Sequence, residues 1–449
     1  MLTNMKRGEI KGILAGVGVQ PSRQLGQNFL TDPAVAADIV AALEIDAGDC
    51  VVEVGPGTGA LTRHVAGKPR KLVLVEFDAR LAAHLQTDFA GDPTVQVIHA
   101  DAANLDLRPF FREGGVKFLG NLPYSAGGAI LKNFFNRPSP VSRGVVMLQK
   151  EFVDRMLAGP GSKDYGLLSL RLQSEWNLRR VFNVPPECFV PRPRIDSTVV
   201  AIEPLAPGTY PPFDARLFDS LIRRGFSQRR KQLHKQLPED IRPWPELAAM
   251  LGVSAAARGE QLTVRQWIEL TRLCDPHPLM DVAQKDDEIF DVVDATDNPV
   301  GRERRAVVHA GNLLHRAVHI LVFDKHGQVF LQKRSRLKDK HPGAWDSSAA
   351  GHLDAGEDYD ACAIRELEEE LGITGATPRR VMKINASEAT GWEHVWLYRV
   401  DWNGRIHFPC AEIEAGLWLP PAEIDQWIAA RPRDFAPGFI ECWKNGVRT

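Results

Sequence analysis

Residues 51–62, VVEVGPGTGALT, decide the fold of the first half of the chain. They have the pattern of a buried strand that ends in three glycines, Gly55, Gly57 and Gly59, and leads into a helix. Glycine permits a tight turn and lets the backbone approach a ligand closely. Turns of this kind bind many nucleotides, and some serve only packing. The run alone leaves both interpretations open.

Strand-like runs recur around this loop and alternate with stretches of helical periodicity. The runs are CVVEVG, KLVLVEF, VQVIHA, VKFLGNLPY and GVVMLQ. This alternation predicts βαβ units, a mostly parallel sheet and therefore an α/β, Rossmann-like domain. Ligands of such sheets bind beyond the carboxyl ends of the strands. We therefore expect a ligand site at the glycine loop.

Two acidic residues follow the next two strands. Glu76 ends KLVLVEF about twenty residues beyond the first glycine, where an acid can hold a ribose diol, and Asp101 follows VQVIHA. Two solvated loop acids are the alternative. The glycine spacing is GxGxG, not the GxGxxG of dinucleotide-dependent dehydrogenases. This favours S-adenosylmethionine, an adenosine cofactor without phosphates.

Residues 121–124, Asn-Leu-Pro-Tyr, directly follow the strand VKFLG. Asn121 and the carbonyl ahead of Pro123 can accept hydrogen bonds from an exocyclic amine, and Tyr124 offers a face for base stacking. Methyl transfer needs the amine lone pair in line with the sulfonium methyl, so positioning does most of the catalytic work. A strong general base is not required.

Eight ordered blocks between Gln24 and Leu273 resemble the small-subunit ribosomal RNA adenine dimethyltransferases. They are QLGQNFLTD, VEVGPGTGALT, the acids Glu76 and Asp101, GNLPY, MLQKE, VPPECFVPRPRIDSTVV, GFSQRRKQL and RGEQLTVRQW. The resemblance implies dimethylation of adjacent adenosines near the 3' end of small-subunit rRNA. Its rival is an rRNA-binding assembly factor that has kept the fold and lost catalysis.

The resemblance also implies roles for individual residues. The S-adenosylmethionine site would be lined by Asn28, Leu30, Gly55, Gly57, Glu76, Asp101 and Asn121. Asn121, Pro123 and Tyr124 would hold the target adenine, and Phe189 would close on the flipped base. A buried core phenylalanine is the alternative for Phe189. The family usually continues NLPY with Asn-Ile and a small hydroxyl residue, whereas this chain has Ser125-Ala126-Gly127-Gly128, which predicts a more mobile loop.

A basic run, RRGFSQRRKQLHK, opens a helical segment after the predicted sheet. Basic side chains provide affinity for RNA phosphates without reading sequence, and a solvated helix face is the alternative. The resemblance implies a small-subunit rRNA precursor as the partner, recognised largely by shape. The expected contacts are Arg223, Arg224, Arg229, Arg230 and Lys231.

A second motif lies at residues 351–373, GHLDAGEDYDACAIRELEEELGI, and predicts a loop, a helix and a glycine stop. Helical spacing places the carboxylates of Glu366, Glu369 and Glu370 on one face. A stripe facing the core is expected from Ala361, Ile364, Leu367 and Leu371. Stacked like charges destabilise a helix unless they are solvated or a hard cation such as Mg²⁺ neutralises them.

This run satisfies every fixed position of the Nudix box and so resembles that hydrolase family. The fixed positions are Gly351, Glu357, Arg365, Glu366, Leu367, Glu369, Glu370, Gly372 and Ile373. The resemblance implies an α/β/α domain with a mixed sheet, in which Glu366, Glu369 and Glu370 ligate Mg²⁺ with support from Glu357 and the Gly351 carbonyl. A metal-activated water would attack a small-molecule organic or nucleoside diphosphate, with Glu366 as the base.

Residues 289–324 and the run HPGAWDSSAAGHL look like the Nudix branch that includes isopentenyl diphosphate isomerase and its hydrolase relatives. The isomerases place a catalytic cysteine a few residues beyond the tryptophan, where this chain has Ser347-Ser348-Ala349-Ala350. Hydrolysis is therefore favoured over isomerisation. An isomerase-like or degenerate regulatory module is the alternative.

Length and charge agree with this division. A chain of 449 residues is too long to fold around one ordinary hydrophobic core. Residues 1–280 contain 34 Lys+Arg and 29 Asp+Glu, a formal +5, whereas the remainder contains 21 and 28, a formal -7. The basic half suits a polyanionic partner and the acidic half suits a metal. The expected boundaries are a methyltransferase domain at 1–205, a helical RNA-binding subdomain at 206–275, a linker at 276–290 and a Nudix domain at 291–449.

Composition excludes several other classes of protein. No apolar run approaches the roughly 20 residues that span a bilayer, and the first residues lack the apolar core of a signal peptide. We therefore expect a cytoplasmic protein without a membrane partner. The six cysteines lack metal-ligand spacing and are expected to be reduced.

Overall fold

The computed structural model describes residues 7–21, 27–238, 242–275 and 287–446. The chain divides into two compact units, one of Met1–Tyr210 with Phe218–Leu270 and one of Pro211–Leu217 with Thr271–Thr449. Residues 24–26 of the first predicted block and 276–286 of the predicted linker lie outside the described residues. Within the described part of the chain, no helix is long and apolar enough to cross a membrane.

The first unit is built on a seven-stranded sheet. The described strands of this unit are β1 (Phe29–Leu30), β2 (Cys50–Val54), β3 (Lys71–Glu76), β4 (Val95–His99), β5 (Val116–Asn121), β6 (Val141–Gln149), β7 (Trp176–Val184), β8 (Phe189–Val190) and β9 (Ser197–Pro204). Strands β1 and β8 form a separate pair, and the other seven form the sheet. The sheet order is β4-β3-β2-β5-β6-β9-β7. In this order, strands β4, β3, β2, β5 and β6 are parallel to one another, which confirms the predicted Rossmann-like core. Strand β9 pairs antiparallel with both β6 and β7.

Helices and apolar clusters cover both faces of this sheet. The helices are α1 (Arg7–Gly16), α2 (Pro33–Ala41), α3 (Thr62–Val65), α4 (Ala79–Asp88), α5 (Arg108–Phe111), α6 (Gly127–Phe135), α7 (Lys150–Leu157), α8 (Leu167–Gln173), α9 (Ala215–Gly225), α10 (Trp244–Met250) and α11 (Val264–Cys274). Adjacent β5 residues alternate between two cores, with Phe118 in one and Leu119 in the other. Helices α9 to α11 form the predicted helical segment after the sheet.

The second unit contains a mixed sheet, as predicted. Its strands are β10 (Ile289–Val293), β11 (Pro299–Arg304), β12 (His315–Phe323), β13 (Val329–Arg334), β14 (Trp345–Asp346), β15 (Ala349–His352), β16 (Arg379–Ile384), β17 (Glu393–Asp401) and β18 (Ile413–Leu419). The order is β14-β13-β12-β17-β16, with β15 on β12 and β18 on β13. Strands β12 and β17 are parallel, and β10 and β11 form a separate antiparallel pair. The helices are α12 (Arg305–Gly311), α13 (Tyr359–Leu371), α14 (Pro421–Ala430) and α15 (Pro437–Gly446).

Candidate active sites

A cleft of about 280 Å³ lies at the carboxyl ends of β2, β3, β4 and β5 in the first unit. This is where an open α/β sheet binds its ligands. The structure brings almost all of the residues predicted for this site around the one cleft. Its lining includes Asn28, Leu30, Gly55, Gly57, Glu76, Asp101, Asn121, Pro123 and Tyr124.

The glycine loop is held against the end of β3. Gly57 has a φ of +59°, and its backbone N–H donates to Glu76 Oε2 at 3.0 Å. A Cβ at Gly57 would lie 3.0 Å from the Phe29 ring. A side chain would therefore meet both an unfavourable backbone conformation and a ring, so this turn requires glycine.

The two predicted acids have different environments. Glu76 is buried, its second oxygen accepts from Asp78 N–H at 2.9 Å, and burial raises its pKa. Asp101 is exposed and accepts from Ala103 N–H at 2.9 Å and from Asn104 Nδ2 at 2.8 Å. Glu76 thus orders the glycine loop, while Asp101 presents a carboxylate at the edge of the cleft.

Asn121 and Tyr124 are both fixed by hydrogen bonds. Asn121 Nδ2 donates to the Asn28 carbonyl at 3.0 Å, which leaves the Asn121 amide oxygen as an acceptor. The Tyr124 hydroxyl lies 2.9 Å from Ser197 Oγ at the start of β9. Burial raises the pKa of Tyr124, so the phenol is neutral at physiological pH. The pair offers a fixed acceptor and a fixed aromatic ring.

Phe189 is the one predicted adenine contact that the structure does not place in the cleft. Its side chain is 0% exposed and belongs to the apolar core beneath β2 and β3. The cause is the short antiparallel pair of β1 and β8, in which Phe189 lies opposite Leu30. The core phenylalanine considered as the alternative describes this position.

Two residues in the lining were missed by the sequence analysis. Glu53 is buried, and burial together with the charge of Glu76 raises its pKa to about 8. Phe77 is 59% exposed and follows Glu76 in the cleft wall. The available signal for Glu53 was a lone acid inside an otherwise apolar strand.

The residues after Tyr124 depart from the family pattern but are largely helical. Helix α6 begins at Gly127, so only Ser125 and Ala126 remain as a connection. A Cβ at Gly127 would lie 2.7 Å from the end of the Leu148 side chain, and one at Gly128 would lie 3.6 Å from Phe152. Gly127 thus lets α6 approach Leu148 closely, whereas a Cβ at Gly128 would make an ordinary van der Waals contact.

The basic run divides into two groups. Arg223 pairs with Asp219 at 2.6 Å. Arg229 pairs with Glu260 at 2.9 Å and donates to the Lys163 carbonyl at 2.7 Å. Arg224, Arg230 and Lys231 are exposed and have no acidic partner among the described residues. The last three are therefore the better candidates for phosphate contacts, because Arg229 already holds neighbouring segments together.

In the second unit, α13 begins after its N-cap Asp358 and ends at Gly372, whose φ is +63°. The expected core stripe was partly wrong. Leu367 and Leu371 are buried, but Ala361 is exposed and Ile364 is 52% exposed. The remaining buried positions of the helix are Tyr359, Cys362, Ala363, Glu366 and Glu370. The inward face is rotated because two of the predicted ligand carboxylates occupy it.

Glu366 and Glu370 lie side by side against β15. Glu370 Oε2 accepts from Ala350 N–H at 3.0 Å and from Gln332 Nε2 at 3.1 Å. A Cβ at Gly351 would lie 1.9 Å from Glu366 Oε1, so the glycine makes room for that carboxylate. Burial and repulsion from Glu370 raise the pKa of Glu366, and burial and the charge of Glu412 raise the pKa of Glu370.

Arg365 connects the remaining acids of the motif. Its guanidinium binds Glu357 through two hydrogen bonds of 3.0 Å and lies 2.7 Å from Glu366 and 3.3 Å from Glu369. The Glu369 side chain is 62% exposed. Arg365 thus gathers Glu357, Glu366 and Glu369 around one guanidinium, and carboxylate oxygens are the donors that a hard divalent cation prefers.

A second group of potential metal ligands was missed by the sequence analysis. One ligand atom from each of His309, His315, His352 and Glu393 lies within 4.8 Å of the others. His352 Nε2 is 3.1 Å from Glu393 Oε1, and the Phe290 ring stacks on His352 at 4.8 Å. His352 directly follows Gly351, so the group adjoins the α13 site. The signal was the number of histidines near the motif, although four separate elements supply the ligands.

Comparison with known proteins finds a matching family for each half of the chain. The family described as Ribosomal RNA adenine dimethylase matches residues 19–275, and the NUDIX domain matches residues 313–439. The Ribosomal RNA small subunit methyltransferase A of Bordetella avium is 39% identical over 254 residues, which are 56% of this chain and 94% of that protein. Its counterpart in Geobacter sulfurreducens is 37% identical over 267 residues, which are 58% and 97%.

Among solved structures, a dimethyladenosine transferase from Plasmodium falciparum is similar at 23% identity. The match covers 54% of this chain and 95% of the Plasmodium falciparum chain, with a TM-score of 0.46. The family match spans more than half of the sequence and includes the glycine loop, both acids and Asn121 to Tyr124. The chain therefore belongs to the ribosomal RNA adenine dimethylase family and carries a NUDIX domain in its second half.

Proposed function

We propose that the first unit transfers methyl groups from S-adenosylmethionine to the exocyclic amines of two adjacent adenosines near the 3' end of small-subunit rRNA. The observation that carries this proposal is the single cleft shared by the glycine loop, Glu76, Asp101 and the Asn121 to Tyr124 segment. The small-subunit rRNA methyltransferases that the chain resembles support the choice of RNA. Such a substrate would place the protein in the cytoplasm.

The residues present fit an adenosine cofactor. S-adenosylmethionine, when bound, supplies the methyl group. Gly57 permits a close approach of the backbone, and its bond to Glu76 fixes the loop beside a carboxylate suited to a ribose diol. Asp101 would accept from the adenine amine at the exposed edge of the cleft. Phe77 offers an exposed ring next to Glu76 for stacking.

The target adenine would be held by the Asn121 to Tyr124 segment. The Asn121 amide oxygen accepts one hydrogen of the amine, and the bond from Asn121 Nδ2 to Asn28 keeps that oxygen oriented. Tyr124 stacks on the base and is anchored by Ser197. Arg224, Arg230 and Lys231 would contact RNA phosphates. Orientation of the amine, without a strong base, accounts for the catalysis.

A labelling experiment tests this proposal. The protein is incubated with S-adenosylmethionine carrying a labelled methyl group and with undermethylated small subunits. We expect label in the RNA, and its loss in Asn121→Ala but not in Asn136→Ala, a matched change at an exposed position. Binding of the subunits without any label would instead support an assembly factor that has lost catalysis.

We propose that the second unit is a Mg²⁺-dependent hydrolase of an organic or nucleoside diphosphate. The supporting observation is the packing of Glu366 and Glu370 against Gly351, with Arg365 linking Glu357, Glu366 and Glu369. Two adjacent buried carboxylates are costly without a counter-charge, and their raised pKa values reflect that cost. A divalent cation would remove it.

The chain's own groups then have separate tasks. Glu366, Glu369 and Glu370 would hold Mg²⁺, which polarises the diphosphate and lowers the pKa of a water. Glu366 would accept the proton of that water, because Arg365 keeps its carboxylate oriented at 2.7 Å. Glu357 and the Gly351 carbonyl would support the metal site.

The test is phosphate release from a panel of nucleoside and organic diphosphates with Mg²⁺. We expect activity on at least one class of substrate and its loss in Glu370→Gln. Glu368→Gln is the matched control, because Glu368 lies on the same helix but is exposed. Equal activity of Glu370→Gln and the unsubstituted chain would refute the metal assignment.

We also propose that the NUDIX domain belongs to the branch that includes isopentenyl diphosphate isomerase and its hydrolase relatives. Support comes from residues 289–324 and from the run HPGAWDSSAAGHL, although Ser347 to Ala350 replace the segment in which the isomerases carry their catalytic cysteine. The ligand group of His309, His315, His352 and Glu393 offers nitrogen donors, which suit transition metals better than Mg²⁺. The panel should therefore be repeated with Mn²⁺ and Zn²⁺, and with isopentenyl diphosphate to detect isomerisation.

We propose that the sheet domain ends at residue 205, the helical RNA-binding subdomain at 275 and the linker at 290. The two compact units agree with a division of the chain near residue 271, and from Phe218 to Leu270 the helical segment belongs to the same compact unit as the sheet. A functional distinction between sheet and helical segment would appear as reduced RNA affinity, with unchanged cofactor affinity, in Arg224, Arg230 and Lys231 variants.

A further inference from the structure

We infer that helix α1 is a positioning element of the cofactor site, and that Ile10 and Leu14 hold two residues of the cleft wall in place. The inference rests on the proposed function, because it takes the ligand of the cleft to be S-adenosylmethionine. Helix α1 itself contributes no residue to the lining of the cleft. Its effect on binding would therefore be transmitted through the residues on which it packs.

The apolar face of α1 packs on the back of the cleft wall. Ile10, Leu14 and Val19 form one buried cluster with Phe29 and Leu81. Phe29 and Leu81 also line the cleft. Each of these two side chains therefore has α1 on one side and the ligand space on the other. Any loss of packing behind them changes the shape of the wall in front.

A polar contact fixes the end of the same segment. Arg80 Nη1 donates to the Gly18 carbonyl, just after α1, at 2.6 Å. Arg80 belongs to the first turn of α4, which starts after Asp78, and Asp78 N–H donates to Glu76. The segment around α1 is thus tied to α4, which carries Leu81, and the N-cap residue of α4, Asp78, contacts the predicted ribose-binding acid Glu76 at the end of β3.

Phe29 connects α1 to the glycine loop and to the target-base residues. The Phe29 ring lies so close to Gly57 that a Cβ there would be 3.0 Å from it. The preceding residue, Asn28, accepts the hydrogen bond from Asn121 through its carbonyl. A displaced Phe29 would therefore disturb both the loop that binds the cofactor and the orientation of Asn121.

The coupling must act in both directions. A ten-residue helix is marginal in isolation and depends on packing for its stability. If α1 stabilises the arrangement that binds the ligand, then the ligand must stabilise α1 by the same free energy. Ligand binding should therefore slow amide hydrogen exchange in α1, although no α1 residue lines the cleft.

The experiment uses the full chain and S-adenosylhomocysteine as an unreactive probe. In Leu14→Ala, the dissociation constant should rise about tenfold, as expected if the competent arrangement is populated about a tenth of the time. Arg80→Ala leaves the apolar cluster intact and should weaken binding by about threefold. Lys11→Ala, on the exposed face of α1, is the matched control and should bind within about twofold of the unsubstituted chain.

Hydrogen exchange separates this role from a purely structural one. We expect probe-dependent protection of α1 in the unsubstituted chain and in Lys11→Ala, and its reduction in Arg80→Ala. Equal dissociation constants for Leu14→Ala, Arg80→Ala and the unsubstituted chain would overturn the inference alone. Failure of the unsubstituted chain to bind the probe would overturn the proposed cofactor and, with it, this inference.

Discussion

Buried carboxylates mark both candidate sites at the level of single residues. Glu53 and Glu76 lie in the cleft of the first unit, and Glu366 and Glu370 lie on α13. Burial raises the pKa of each of them, so each is expensive to keep ionised in the absence of a ligand. Groups with such shifts concentrate at functional sites, where a ligand or metal offsets the cost.

We expect Glu53→Gln to reduce the dependence of stability on pH. The folded pKa of Glu53 is about 8, against an ordinary value of 4.5, so the folded chain keeps a proton that the unfolded chain releases. Glu53 therefore lowers stability progressively as pH rises from about 4.5 to about 8, and the penalty is constant above that range. The free energy of unfolding in urea, measured near about pH 5.5 and about pH 8.5, should fall less in Glu53→Gln.

The exposed Glu151→Gln is the control for this change and should retain the pH dependence of the unsubstituted chain. The prediction fails if Glu53→Gln loses as much stability between the two pH values as the unsubstituted chain does.

Ser197 should act on methylation through Tyr124. Their hydroxyls are 2.9 Å apart, and a net hydrogen bond contributes about 1 kcal/mol, equivalent to about fivefold in rate. We expect Ser197→Ala and Tyr124→Phe each to lower the single-turnover rate by about this factor, and the double variant to lose no more than either. Ser142→Ala, at the opposite end of the sheet, should have no effect. Additive losses would show that the two residues act independently.

At the level of elements, the α13 site depends on the contact between the helix and β15. A Cβ at Gly351 would overlap the Glu366 carboxylate at 1.9 Å, and Gly351 has no unusual φ. Gly351→Ala should therefore leave the fold intact and displace Glu366. Hydrolysis should fall by about 10- to 100-fold, as for other changes that misplace a metal ligand.

Measurement of phosphate release at several Mg²⁺ concentrations checks this result. We expect Gly351→Ala to bind Mg²⁺ more weakly, so that phosphate release needs a higher Mg²⁺ concentration. The circular dichroism spectrum should be unchanged. Adding Glu366→Asp, which shortens the carboxylate, should recover part of the loss. Full activity in Gly351→Ala would show that metal binding does not depend on the position of Glu366 beside Gly351.

Elements with strong periodicity could be predicted from the sequence. Strands β2, β3 and β5 are mostly apolar because helices cover both faces of the sheet, and α13 has a clear cap at each end. The antiparallel strands β7 and β9 were missed, because β7 is polar along much of its length and β9 follows a proline-rich loop. Local patterns carry little information about such edge pairs.

The parts of the sites that depend on distant partners could not be predicted. Phe189 is buried because β8 pairs with β1. In this pair Phe189 lies opposite Leu30, although the two residues are 159 positions apart in the sequence. Arg229 resembles an RNA contact in sequence, but Glu260 and the Lys163 carbonyl engage it in the fold. The ligand group around His352 combines residues of α12, β12, β15 and β17. Each depends on tertiary contacts that sequence spacing does not show.

In the chain as a whole, the described residues of each candidate site lie within one compact unit. The residues of the cleft come from Met1–Tyr210, and those of the α13 site come from Thr271–Thr449. Each unit has its own buried core, which includes Phe118 in the first unit and Leu367 in the second. The formal charges of +5 and -7 for residues 1–280 and the remainder also match an RNA partner and a metal site, respectively.

We therefore expect the two activities to be separable by single substitutions in the full chain. Asn121→Ala should abolish methylation and leave diphosphate hydrolysis within about twofold, and Glu370→Gln should abolish hydrolysis and leave methylation within about twofold. The reason is that the described residues of the two sites belong to different compact units, and substitutions without shared partners behave additively. Asn136→Ala and Glu368→Gln are the matched controls and should retain both activities. Both reactions are measured on the same preparations, with and without saturating small subunits. A change in hydrolysis on adding subunits, abolished by Asn121→Ala, would show instead that the RNA site and the diphosphate site are coupled.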